Sequence, residues 1–257
     1  MPTKNASLNI GLCRIDVVDM DSALSKIKAL SYASIKGYVV TPNIDHLARL
    51  AVSQYKKDLK DIYFGASLSL CDSRILELIL KAHGRKIPEV VTGSDLTAQL
   101  FETTLTKSDR VFILGGEEET IYKIRKRFPQ IKIDHHNPSM GFINKSDEVK
   151  GVVDRIIKTD SDYVFLAVGS PQQEQIAKLL MENDDFRGIA LCIGASILFL
   201  TGDEQRAPGW IQKLRLEWLY RLSQNPSRLA IRYLKNALSL PAINREISEH
   251  LRKVATQ

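Results

Sequence analysis

Tyr163-Val-Phe-Leu-Ala-Val-Gly-Ser-Pro-Gln-Gln-Glu174 is the stretch whose reading decides the fold. Its first six residues are all apolar or aromatic, as in a strand covered on both faces. Gly169-Ser170-Pro171 ends that run, and Gln172 to Glu182 follows as a helix. The same order of strand, glycine turn and helix recurs elsewhere. Val111 to Leu114 leads into Gly115-Gly116 and a helix over Glu117–Phe128, stopped by Pro129; Ile189 to Ile193 leads into Gly194-Ala195-Ser196. Toward the N-terminus, Tyr38 to Thr41 reads as a strand, and Asp45 to Lys57 as a helix with Leu47, Leu50 and Ala51 at helical spacing. Ile62-Tyr63-Phe64 and Leu68 to Leu70 read as short strands, and Ser73 to Ala82 as a helix closed by Gly84. Repeated βα units predict a parallel sheet with helices on both faces, a Rossmann-like α/β fold. Ligands of such sheets bind beyond the carboxyl ends of the strands, so the informative residues are those in the turns after strands.

Composition agrees with a globular chain. With 257 residues, 44% hydrophobic and 26% charged, the sequence excludes a disordered, collagenous or coiled-coil class. Cys13, Cys71 and Cys192 lie far apart with no CxxC pair, which excludes a zinc knuckle or disulfide framework and fits a reducing cytoplasm. The opening MPTKNASLNI has no charged region followed by an apolar one, so no signal peptide is expected. The longest near-apolar run, Ile189 to Leu200, is 12 residues against the roughly 20 that span a bilayer. A soluble or peripheral protein is expected.

The formal net charge of +6 is unevenly spread. From Arg206 onward, ten Lys and Arg face three Glu, a local +7, which leaves the first 205 residues at −1. The basic residues alternate with Trp210, Leu214, Trp218, Leu219, Tyr220, Leu222, Leu229, Ile231 and Tyr233. That pattern suits amphipathic helices on an anionic membrane, and equally a C-terminal helix pair packed on its own core with solvated charges. No RRM, KH or zinc-finger signature is present, so nucleic acid is not an expected partner. The βα pattern stops near Thr201-Gly202, dividing the chain into a Rossmann-like core (1–201) and a basic helical appendage (202–257).

Several turn residues carry two readings. Asn43, in Thr41-Pro42-Asn43-Ile44-Asp45-His46, is a natural helix N-cap, while its amide and the Thr41 hydroxyl also suit a sugar or base edge. His46 reads as a structural or surface histidine. Asp72 is either an N-cap for the helix that follows or a carboxylate at a strand's end, placed to take a proton from an attacking hydroxyl. Gly115-Gly116 offers backbone N–H groups and a helix N-terminus to a phosphate, without matching GxGxxG or GxxxxGK[ST]. His135-His136 beside Asp134 sits where neighbouring side chains diverge, which argues against a metal site. Gln172, Gln173 and Glu174 stand at the mouth of the strand quoted above, where two amides suit a polyhydroxylated ligand.

Taken in order, VVTPNIDHL (39–47), CDSRILEL (71–78), VTGSDL (91–96), VFILGG (111–116), FLAVGSPQQE (165–174) and IGASILFLTGDEQRAP (193–208), followed by LEWLYRLSQNPSR (216–228), resemble the WecG/TagA/CpsF family of bacterial glycosyltransferases. The resemblance runs from about residue 10 to 235. It implies an inverting, metal-independent enzyme without a cofactor, which moves a hexose-type sugar from a UDP-sugar to a sugar on a membrane polyprenyl diphosphate during surface polysaccharide assembly. It implies Asp72 as the general base and Thr41, Asn43 and Gln173 as pocket residues. Arg221 and Arg228 are implied to meet the diphosphate, with Arg206 in the same segment. It further implies that the basic C-terminal segment docks on the inner face of the cytoplasmic membrane and helps close the site; its apolar, arginine-rich character also suits a homo-oligomer. Asp72 is followed by Ser73-Arg74 where many members have a glycine.

The chemistry of inverting transfer asks for a base near the attacking hydroxyl and for stabilisation of the departing diphosphate. Without a divalent cation the second task falls to arginines and helix N-termini. Two other classes remain as alternatives. A nicotinamide-dependent oxidoreductase needs GxGxxG with an acid about 20 residues on, and neither is present. A non-catalytic membrane- or partner-binding module with a vestigial nucleotide site would bind through the basic helices alone.

Overall fold

The computed structural model describes residues 6–52, 56–204, 207–208, 211, 217–224 and 226–255. Six strands, β3 (Gly37–Val40), β4 (Leu68–Ser69), β5 (Arg110–Leu114), β6 (Lys132–His136), β7 (Tyr163–Leu166) and β8 (Ile189–Cys192), form one sheet in the order β4-β3-β8-β7-β5-β6. Every pairing within it is parallel. A small antiparallel hairpin, β1 (Ser7–Asn9) and β2 (Arg14–Asp16), precedes it. The buried Asp16 carboxylate clasps this hairpin to β4, accepting from Ser69 N (2.7 Å) and from Arg14 (3.1 Å).

Because strand side chains alternate, the central strands feed two cores. Val40, Phe112, Leu114, Val164, Leu166, Ala190 and Cys192 face one side. There they meet α2 (Ile44–Val52), α3 (Lys56–Gly65), α4 (Arg74–Ala82), α7 (Ser146–Lys158) and α8 (Gln172–Glu182). Val39, Val111, Ile113, Phe165 and Leu191 face the other, against α1 (Met20–Tyr32), α5 (Gly93–Gln99), α6 (Glu118–Arg127) and α9 (Ile197–Thr201). The expected Rossmann-like α/β layering is the architecture observed.

Two expected elements differ: of the helix expected over Asp45 to Lys57, α2 covers the part to Val52 and α3 begins at Lys56, with residues 53–55 outside the described part. Ile62-Tyr63-Phe64 lies in α3, not in a strand. Leu59, Ile62 and Tyr63 are all buried, and their i, i+3, i+4 spacing is one face of a helix that outweighs the β propensity of three residues.

Two helices, α10 (Glu217–Gln224) and α11 (Pro226–Ala255), end the chain. Trp218 of α10 meets Tyr233 of α11 edge-on, with ring centroids 6.1 Å apart. The far part of α11 belongs to the first core: Ile243 and Ile247 are fully buried in the cluster that holds Ile10, Leu12 and Cys13. Lys60 bridges the two ends, donating to Gly11 O (3.0 Å) and Glu246 (3.4 Å). Pro241 sits inside α11 and has no N–H to offer the Ala237 carbonyl. Among the described residues no helix is long and apolar enough to cross a membrane.

Candidate active site

β4, β3, β8 and β7 are consecutive neighbours, and their carboxyl ends bring Asp72, Thr41, Asn43 and Gln173 to one edge of the sheet. The chain leaves β3 toward one face through α2 and leaves β8 toward the other through α9. That divergence is the topological switch point, beyond which sheets of this kind take ligands.

The buried Thr41 hydroxyl donates to Cys192 O at 3.3 Å, joining the ends of β3 and β8. Gly93 comes so close that a Cβ there would stand 3.2 Å from Ser196 Oγ and 3.3 Å from Thr41 Oγ1, which brings the VTGSDL turn against the same edge. Asn43 Oδ1 accepts from Asp45 N (3.1 Å) and His46 N (3.3 Å), so this side chain does cap α2. In return Asn43 N donates to His46 Nδ1 at 3.3 Å, which leaves the proton of the neutral ring on Nε2. Burial lowers the His46 pKa, agreeing with that neutral state.

Asp72 does not cap its helix. Ser73 is the N-cap of α4, its hydroxyl accepting from Leu76 N at 3.2 Å. Asp72 N donates to Pro42 O at 3.0 Å, tying the turn after β4 to the turn holding Asn43. The Cys71 thiol beside it is pushed up to about 12, chiefly by burial and in part by the Asp72 charge.

Gln173 is directed inward. Its Oε1 accepts from Gly194 N (2.8 Å) and its Nε2 donates to Glu174 Oε1 (3.0 Å), so the amide fixes the turn after β8 from below. Glu174 and Tyr63 are equally buried, and Tyr63 donates to the same Glu174 oxygen at 3.0 Å. The other Glu174 oxygen is buried with no hydrogen-bond partner among the described residues. Burial first, and then this carboxylate, hold the Tyr63 hydroxyl well above the usual tyrosine value. Glu174 was legible in the quoted motif; Tyr63 carried no signal, since its neighbours read as a strand.

Arg49 was also missed, although Asp45 and Arg49 stand at ion-pair spacing on a helix. Its guanidinium meets Asp45 Oδ2 (2.6 Å) and Ser170 Oγ (2.8 Å), and Arg232 of α11 meets Asp45 Oδ1 (3.4 Å).

The Gly115-Gly116 turn has another occupation. Both residues take positive φ (+92 and +86), and a Cβ on Gly116 would stand 2.6 Å from Ile197 Cδ1. His135 Nε2 lies 3.2 and 3.0 Å from the Gly115 and Gly116 carbonyls, and Glu117, Glu118 and Glu119 crowd the adjoining helix start. Three acids there oppose an anion. Among the described residues no three His, Cys, Asp or Glu side chains gather as a metal site requires.

Arg206 lies outside the described residues. Arg221 and Arg228 fall on α10 and α11, with their side chains outside the described part.

Residues 8–253 match the model of the glycosyl transferase WecG/TagA/CpsF family. A relative from Bacillus spizizenii is 29% identical over 194 residues, covering 74% of this chain and 71% of the relative. One from Staphylococcus aureus (strain MW2) is 29% identical over 168 residues, covering 64% of this chain and 62% of the relative. Both are named N-acetylglucosaminyldiphosphoundecaprenol N-acetyl-beta-D-mannosaminyltransferase. A match across nearly the whole chain, with the family's blocks standing at the carboxyl edge of the sheet, makes this protein a member of the WecG/TagA/CpsF glycosyl transferase family.

Proposed function

We propose that the protein transfers a hexose-type sugar, with inversion and without a metal, from a UDP-sugar to a sugar carried on polyprenyl diphosphate in the assembly of a cell-envelope glycan. Asp72 is the base. It takes the proton of the acceptor hydroxyl as the oxygen forms its bond to the anomeric carbon, and the bond to the diphosphate breaks with its electron pair leaving on UDP. The observation that carries this reading is the place of Asp72: directly after β4, its N–H donates to Pro42 O at 3.0 Å and so holds it beside the turn of Thr41 and Asn43, while Ser73 supplies the N-cap of α4.

Thr41 and Asn43 line the donor side, and Gln173 sets the floor through Gly194. Arg206, Arg221 and Arg228 supply positive charge to the departing diphosphate, the work a divalent cation would otherwise do. The β linkage in the relatives' names supports inversion, because a single displacement on an α-linked nucleotide sugar yields a β product. Those names also make UDP-N-acetylmannosamine and N-acetylglucosaminyl-diphosphopolyprenol the first pair to test. The acceptor's lipid calls for attachment at the inner face of the cytoplasmic membrane, which the +7 C-terminal segment supports.

UDP release by the purified protein, with a panel of UDP-sugars, a short-chain polyprenyl-diphosphate sugar and EDTA, tests the reading. Acceptor-dependent release from one donor, insensitive to EDTA, is expected. Binding to anionic vesicles with no release from any donor would overturn it in favour of a non-catalytic module.

A further inference from the structure

We infer that Arg49 and Arg232 are positioning residues, and that the chain Arg232–Asp45–Arg49–Ser170 ties the C-terminal helix to the two turns that flank the switch point. Asp45 is the hub. One carboxylate oxygen is taken by Arg49 (2.6 Å) and the other by Arg232 (3.4 Å), while the second Arg49 nitrogen reaches Ser170 Oγ (2.8 Å). The side chains of Asp45 and Arg49 are 18% and 31% exposed, so this pair is screened less than one on an open helix face.

Asp45 and Ser170 each adjoin a group already placed at the site. Asp45 N is held by the Asn43 side chain, so a shift of Asp45 moves Asn43. Ser170 follows Gly169, whose carbonyl accepts from Gln173 N at 2.9 Å, so a shift of Ser170 moves the residue that holds Gly194. Arg232 enters from α11, whose far part is fixed by the buried Ile243 and Ile247 and by Asn244, 2.9 Å from His83. The near part, on the other side of Pro241, exposes Ile231, Leu234 and Leu238. Its Leu229 is buried, the helix packs on α2, and Arg232 meets Asp45 there. A change in how that near part sits therefore has a polar route to both turns through the Asp45 carboxylate.

The inference rests on the proposed reaction only in calling the two turns the donor side, and its test does not need turnover. Hydrogen–deuterium exchange is measured on the full chain for wild type, Arg232→Met, Arg232→Lys, Asp45→Asn, Arg49→Met and the double variant Arg49→Met/Arg232→Met. Arg232→Met and Asp45→Asn are expected to raise exchange several-fold in peptides covering 41–52 and 167–175 and to leave 110–117 unchanged. Arg232→Lys retains the wild-type pattern, because it keeps the charge. The double variant exchanges at 167–175 no faster than Arg49→Met alone, because the link is already cut. Unchanged exchange at 167–175 in Arg232→Met, or additive effects in the double variant, would overturn the inference. If exchange behaves as expected while wild type releases no UDP from any donor, the coupling stands and the proposed reaction falls.

Discussion

Substituting Asp72 by Asn keeps the side chain's shape and removes its capacity to take a proton. Turnover is expected to fall by about 10²–10⁴-fold with the thermal midpoint unchanged, read from UDP release beside a melting curve. Ser73→Ala does the converse: loss of the Leu76 N–H acceptor costs about 1 kcal/mol of stability and spares the chemical step. If Asp72→Asn keeps full activity, the base is elsewhere. Burial holds the folded-state pKa of His46 below the ordinary histidine value, so between those two values the unfolded chain binds a proton that the folded chain does not. Stability is therefore complete above the ordinary value and declines as pH falls toward the folded one. His46→Gln is expected to flatten part of that acidic slope in a series of unfolding midpoints, the remainder including His136, which burial also lowers. Much of the site could be read from residue types alone, because polar residues directly after apolar strands have few purposes. What could not be read was direction. Gln173 and Asn43 stand after strands at the sheet's carboxyl edge, as the turns predicted, yet the Gln173 amide and the Asn43 carbonyl oxygen bond within the protein, and residue type does not say which way an amide faces.

At the scale of elements, the strands were legible because five of the six strands of the main sheet are rich in apolar residues and each ends near a turn that punctuates it. α3 was not, because its burial pattern extends back to Leu59, outside the three residues that resemble a strand. β6, Lys132–His136, escaped for the opposite reason: an edge strand half open to water carries polar residues and shows no apolar run. The turn after β5 offers a test of element packing. Gly116→Ala puts a Cβ against Ile197 and a side chain on a left-handed backbone, and is expected to destabilise the fold by about 1–3 kcal/mol in denaturant unfolding. A neutral result would mean that β5 and α9 approach each other less closely than described.

For the whole molecule, the charge division and the packing division fall at different places. The basic excess begins near Arg206, whereas α11 returns to the first core at Ile243 and Ile247. Ile247→Ala is expected to lower global stability by about 2–5 kcal/mol, the usual range for emptying a core site. Removing residues 226–257 should cost folded protein as well as any affinity for anionic vesicles; a truncated chain that melts as wild type does would show that the last helix adds no stability. The meeting of Gly11 with His250, and of Ile10 with the cluster around Ile243, has a consequence for how the protein is made. During synthesis the residues around Ile10 are made long before the residues around Ile243 and Ile247 that cover them, so the first core stays open on that flank until α11 has emerged. Over that interval the nascent chain must keep Ile10, Leu12 and Cys13 from wrong partners.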